Sequence, residues 1–114
     1  MKILNATKDT VIAQKADFAD SFLSRMVGLL KYKTLAFDEA LIITHCQSIH
    51  MFFMRFPIDV IFVSKDHTVV GLVPAIKPFY LSPIFFRADY AIEIPVGVIT
   101  RSKTAVGDRI SLNP

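Results

Sequence analysis

Short apolar runs separated by polar turn residues follow one another along most of this 114-residue chain. Brief runs rich in Val, Ile, Phe and Tyr are typical of β-strands. About seven strands are predicted, at residues 2–5, 11–15, 40–44, 58–64, 68–73, 90–94 and 109–112. The first two predict an N-terminal hairpin. The fourth and fifth flank the polar turn Lys65-Asp66-His67 and predict a second hairpin.

One segment has a helical pattern instead. Phe18, Phe22 and Met26 recur at steps of four between Ala16 and Leu30, which predicts a helix over about residues 19–27. Residues 98–104 fit one further helical turn. Together these elements predict a mainly β (α+β) fold, a small barrel-like or clasped curled sheet with the helix packed across it. The length allows one hydrophobic core, so we expect a single domain over residues 1–114.

Residues 74–87 contain three prolines and a series of large apolar side chains. Proline is excluded from the middle of a sheet, so this segment predicts an edge strand followed by a long apolar loop at residues 78–86. A loop this apolar on a small domain is either a lid over one end of the sheet or an exposed surface that contacts a protein, a lipid or a ligand. The sequence favours neither interpretation.

Composition limits the partners and the cellular location that we expect. The net charge of +3 is modest and the Lys and Arg residues are scattered, so we expect no nucleic-acid partner. Cys46 is the single cysteine, which excludes an intramolecular disulfide. The chain starts without an apolar signal segment, and the apolar stretch 69–86 is interrupted by prolines and Lys77. We therefore expect a cytoplasmic protein without a transmembrane segment.

Four ionisable residues are candidates for chemistry. His50 and Asp59 could act together, because a carboxylate near an imidazole orients it and raises its basicity. Asp59 could instead cap backbone N–H groups after Pro57, an interpretation to which we give more weight. Arg25 and Glu93 form a second set, either a structural ion pair or a site where Arg25 holds an anion.

A metal site is not expected. His45, Cys46, His50 and Asp59 are the residues that could ligate zinc, but adjacent residues of a strand point to opposite faces. No glycine-rich phosphate loop is present either, so we predict neither a metal nor a cofactor.

A resemblance extends over most of the chain. Residues 49–62, IHMFFMRFPIDVIF, are similar to the signature I-H-T-x-x-M-x-F-P-I-D-V-x-F of the prokaryotic family called domain of unknown function 192, with Met51 in place of Thr. Arg25 with Gly28 and Leu29, the segment 91–97 and Gly107-Asp108 resemble further parts of that family. The resemblance implies a mostly β protein with a barrel-like or clasped sheet and no established activity. Many relatives look exported, whereas the start of this sequence predicts no leader.

These observations favour a non-enzymatic binding or accessory module for a partner protein or a small ligand. Its opening would be lined by His50, Met54, Asp59 and Arg25, with the 78–86 loop at the rim. The alternative is a small hydrolase-like or carbohydrate-processing enzyme that uses Asp59 and Glu93, possibly assisted by His50, across a cleft. A third hypothesis gives His50 and Asp59 a role in folding only. The identity of the ligand and the oligomeric state are left open.

Overall fold

The structure is a computed structural model and describes residues 1–19, 36–51 and 55–113. In these residues the chain forms eight strands and one short helix. In chain order they are β1 (Lys2–Asn5), β2 (Thr10–Ala13), β3 (Lys15–Ala19), β4 (Glu39–Thr44), β5 (Ile58–Val63), β6 (Val69–Ile76), β7 (Tyr90–Ile94), α1 (Val98–Ser102) and β8 (Ile110–Asn113).

The strands form two sheets. The smaller sheet has the order β2-β1-β8, and the larger has the order β3-β4-β7-β5-β6. All neighbouring strands are antiparallel except β3 and β4, which are parallel. The sheets meet where the Ala16 N–H donates to the Met1 carbonyl and where the Val69 N–H donates to the Asp108 carbonyl, both at 2.8 Å. The prediction of a mainly β fold is confirmed, but across the described residues the two sheets do not close into a barrel.

Two apolar clusters cover the two faces of the larger sheet. The first cluster lies between the sheets and includes Ile42, Ile61 and Ile92 together with residues of β1, β2 and α1. The second lies on the opposite face and includes Ile43, Val60 and Phe62, with Ile49 and Met51 packed on them from outside the sheet. The central strands β5 and β7 are therefore buried on both faces. This burial explains why both strands are nearly continuous apolar runs in the sequence.

The main difference from the predicted elements is at residues 15–19. The helical pattern starts at Ala16, but Lys15–Ala19 form β3, hydrogen-bonded to β4. Tertiary pairing therefore outweighs local periodicity in these residues. The remainder of the predicted helix lies outside the described residues.

The predicted hairpin of β5 and β6 is confirmed, and β6 lies at an edge of the larger sheet, as its proline requires. One extra residue of β6 forms a bulge opposite β5 between the pairs Ile58↔Ile76 and Val60↔Val73. Within this bulge Ala75 has a positive φ of 48°.

Candidate functional site

Asp59 is a buried cap for backbone N–H groups. Its side chain is only 2% exposed. Oδ1 accepts the Ala75 N–H at 2.8 Å, in the bulge of β6. Oδ2 accepts the N–H groups of Gly97 at 3.1 Å and Ile99 at 3.0 Å. Gly97 is the N-cap residue of α1 and has no side chain to cap the helix, so the carboxylate of Asp59 does so from another element.

This arrangement leaves Asp59 little capacity for a ligand, because both oxygens already accept hydrogen bonds from the protein. The groups that it caps do not directly follow Pro57, as the sequence suggested. They belong instead to β6 and to the start of α1. Asp59 thus links β5 to the neighbouring strand β6 and to the start of α1, which lies about 40 positions further along the chain.

Asp59 and Glu93 point to opposite faces of the larger sheet. Asp59 pairs with Ile94, and its neighbour Val60 pairs with Glu93. Successive side chains of a strand alternate between faces, and directly paired residues share one. Asp59 therefore lies on the face of the first cluster, and Glu93, which is 4% exposed, on the face of the second. A general acid–base pair of these two carboxylates across a cleft does not fit this geometry, which corrects the enzyme alternative.

His50 lies on a segment next to the 78–86 loop. Its neighbours Ile49 and Met51 both belong to the second cluster, and His50 itself forms a β-bridge with Leu81. The segment of His50 therefore covers the face of the sheet opposite Asp59. The structure does not bring the two side chains together at one opening. Arg25 and Met54, the other two residues predicted to line that opening, lie outside the described residues.

The potential metal ligands do not converge either. Within the three described ranges, no group of three or more His, Cys, Asp or Glu residues is placed to hold a metal ion. The side chain of His45 is 88% exposed, whereas Cys46 is buried.

The segment 78–86, called the apolar loop below, is held by the segment 47–51. The Phe79 N–H donates to the Met51 carbonyl at 2.7 Å, and the Met51 N–H donates to the Tyr80 carbonyl at 2.8 Å. Further along, the Ser82 N–H donates to the Ile49 carbonyl, and the Ser82 hydroxyl accepts the Ile49 N–H, each at 2.9 Å. The backbone of the apolar loop is therefore fixed by the segment that contains His50.

The apolar loop directs its large side chains mostly outward. Five of them are 57–78% exposed: Phe79, Tyr80, Leu81, Ile84 and Phe86. Phe85 points inward and packs against Phe62, with a ring-centroid distance of 4.6 Å. Its ring lies directly over Gly71 of β6, where any side chain would overlap it. Phe85 thus anchors a loop whose remaining aromatic side chains lie in contact with solvent.

An open groove of about 660 Å³ adjoins the end of the apolar loop. Its lining includes Phe86 and Arg87 from the end of the loop, and the charged or ionisable residues His45, Lys65, Asp66 and Asp89. A hydrogen bond from the Ser64 hydroxyl lowers the pKa of Asp66. The groove therefore carries charges of both signs beside an exposed aromatic ring.

A polar network near the chain termini was not singled out in the sequence. The buried carboxylate of Asp108 accepts hydrogen bonds from Asn5 Nδ2 at 3.0 Å, Lys8 Nζ at 2.8 Å and the Ala105 N–H at 2.9 Å. Burial acts to raise the pKa of Asp108, but these hydrogen bonds and the charge of Lys8 outweigh it and lower the pKa. The network ties β1 to the turn before β8. Its only signal in the sequence is the turn at Gly107-Asp108.

Tyr90, which follows Asp89 of the groove lining in the chain, is buried. The Tyr90 hydroxyl lies 2.8 Å from Nδ1 of His67. Burial, reinforced by the nearby charge of Asp89, raises the pKa of Tyr90 above its usual value.

The fold and the site define a class of small two-sheet β proteins in which a buried carboxylate caps a helix and an apolar loop is exposed. The chain belongs to the family DUF192, described as "Uncharacterized ACR", whose model matches residues 3–112. A UPF0127 protein of Pyrococcus furiosus is 37% identical to it, with 97% of each chain covered. A UPF0127 protein of Thermococcus kodakarensis is 38% identical, and the match covers 98% of this chain and 73% of that one.

A solved structure shows the same fold. It is the crystal structure of a protein of unknown function from Novosphingobium aromaticivorans, with a TM-score of 0.80 and 20% sequence identity. The match covers 97% of this chain and 82% of that one. In the part of the chain that the structure describes, no helix has the length and apolar character needed to cross a membrane.

Proposed function

We propose that this chain is a non-enzymatic binding module and that the apolar loop is its binding surface. The observation that carries the proposal is the exposure of five large apolar side chains within nine consecutive residues. Scattered apolar side chains are normal on a protein surface, but a contiguous group of this kind marks a contact site.

The fixed backbone of the apolar loop supports this function. Residues that are already ordered lose little conformational entropy when a partner binds. Each large apolar side chain that becomes fully buried contributes roughly 1.5–3 kcal/mol. Burial of even three of the five side chains would therefore offset a substantial part of the entropy cost of association. The lid interpretation fits only the inward-facing Phe85 and Ser82.

An enzyme is not proposed. The carboxylate of Asp59 is engaged by three backbone N–H groups, and that of Glu93 points to the other face of the sheet. The geometry therefore supports the folding role of Asp59 better than a role in ligand binding or catalysis.

The proposal can be tested without knowing the partner. Leu81 is 67% exposed in the apolar loop, and Val106 is 63% exposed elsewhere, so Leu81→Cys and Val106→Cys are a matched pair. Wild-type protein is the background control, because its single cysteine, Cys46, is only 3% exposed. Each variant is treated with a polar maleimide, first pure in dilute buffer and then in extract of the organism that encodes the protein.

We expect the Leu81→Cys variant to be labelled several times more slowly in extract than in buffer. The Val106→Cys variant should be labelled at the same rate in both. Equal labelling of the Leu81→Cys variant in the two conditions would mean that nothing covers the apolar loop, and the proposed function would be wrong.

A further inference from the structure

We infer that the partner of the apolar loop is an anionic lipid surface, into which the loop inserts its exposed side chains. This inference rests on the proposed function and names the kind of partner. It is drawn from the charged residues that flank the loop, the internal hydrogen bonds of its backbone N–H groups and the scarcity of polar side-chain groups in it.

Cations flank the apolar loop on both sides in the sequence, and at its end Lys65 lies with Asp66 and Asp89 on the lining of the groove. Lys77 directly precedes it, Arg87 directly follows it, and both are exposed. Residues 74–88 contain no Asp or Glu, and the nearest following acid is Asp89. Cations that flank an apolar insertion remain at the level of the lipid headgroups, where they are attracted by anionic phosphates.

The backbone of the loop is suited to a medium that contains little water. An N–H group without a hydrogen bond is costly to transfer into an apolar environment. Pro78 and Pro83 have no N–H group. The N–H groups of Phe79, Ser82 and Phe85 donate to carbonyls of the segment 47–51, and that of Tyr80 donates to the Lys77 carbonyl. Much of the backbone desolvation is therefore already compensated within the protein.

The side chains of the apolar loop offer little for specific recognition by a protein. Protein interfaces combine apolar contact with about one hydrogen bond for every 100–200 Å². Only Tyr80 and Ser82 carry a polar group on their side chains in the loop, in each case a hydroxyl, and the Ser82 hydroxyl is engaged with the Ile49 N–H and the Pro83 carbonyl. The Tyr80 hydroxyl alone is left for an outside partner, and an aromatic ring with a polar end suits the boundary between lipid and water. A lipid surface, unlike a protein partner, requires apolar contact without directional hydrogen bonds.

Vesicle sedimentation with purified full-length protein tests the inference. Two vesicle preparations are used, phosphatidylcholine alone and phosphatidylcholine mixed with phosphatidylglycerol. We expect binding to the mixed vesicles that weakens with added salt. Lys77→Gln combined with Arg87→Gln should weaken it about 25-fold, since each cation near an anionic surface contributes roughly five-fold. Lys2→Gln combined with Lys15→Gln, at exposed sites elsewhere, is the charge-matched control and should have little effect.

Insertion of the loop is measured separately by fluorescence. The protein has no Trp, so a Phe79→Trp variant carries a single indole in the apolar loop. Its emission should shift to the blue when mixed vesicles are added, whereas that of a Val106→Trp control should not. Binding without a shift in the Phe79→Trp variant would refute insertion, and equal binding to both vesicle preparations would refute the role of anionic lipid.

Different results would overturn the lipid inference and the proposed binding function. Wild-type protein that binds neither vesicle, while the Leu81→Cys variant is protected in extract, overturns the lipid inference and leaves the binding module with a protein partner. A blue shift without vesicles, accompanied by a dimer in gel filtration, would identify a second copy of the chain as the occupant. That result would also overturn the lipid inference. Absence of both protection and vesicle binding would remove the two proposals together.

Discussion

Replacement of Asp59 by Ala should destabilise the protein strongly, because it removes one acceptor from three backbone N–H groups. The Ile99 N–H lies in a buried environment, so its loss of a partner should cost about 2 kcal/mol. The hydrogen bonds from the Ala75 and Gly97 N–H groups are only partly buried, so about 1 kcal/mol each is reasonable. The sum is about 4 kcal/mol, or about 15 °C in the melting temperature of a domain of this size.

Thermal and urea unfolding, followed by circular dichroism, measure this effect. Asp17→Ala replaces an exposed acid in β3 and is the matched control, for which we expect almost no change. Asp59→Asn should fall between the two, because its amide retains one acceptor but turns a donor towards an N–H group. If Asp59→Ala melts within a few degrees of Asp17→Ala, the capping account is wrong and the carboxylate is available for another role.

Two further predictions concern packing and pH. Gly71→Ala places a methyl group against the ring of Phe85 and should cost about 1–3 kcal/mol in unfolding free energy. It should also weaken vesicle binding, since Phe85 anchors the apolar loop. An unchanged melting temperature would contradict the expected clash, because it would show that the Phe85 ring can move aside without a cost in stability. The lowered pKa of Asp108 means that its contribution to stability is present above about pH 4 and is lost as the pH falls through the folded-state pKa. Asp108→Ala should therefore remove about 2 kcal/mol at neutral pH and flatten the acid side of the stability profile, whereas an unaltered acid side would refute this assignment.

The strands were predictable from local pattern because most of them are short and bounded by turns. The strand at residues 90–94 and the hairpin of β5 and β6 are where the sequence places them. β3 was not predictable in this way, since its strand character comes from pairing with β4. A parallel pair requires a long connection, which a local pattern does not reveal.

The candidate site was predictable only in part. A carboxylate within an apolar strand requires partners, and the sequence indicated this for Asp59. It could not identify them, because Gly97 and Ile99 lie 38 and 40 positions away. The register of β5 and β7 likewise decides that Asp59 and Glu93 face apart, and register is a property of the folded sheet.

The motif at residues 49–62 is better explained by two structural roles, one on each face of the larger sheet, than as the lining of a pocket. Its first part, Ile49 with Met51, covers one face of the larger sheet and binds the backbone of the apolar loop. Its later part is the central strand β5, from which Asp59 reaches the opposite face and caps α1. Polar and apolar residues are combined in this motif because one chain segment serves both faces of the sheet. It follows that substitutions at Asp59 should act on the stability of the whole fold, whereas substitutions at the exposed residues of the apolar loop should act on binding alone.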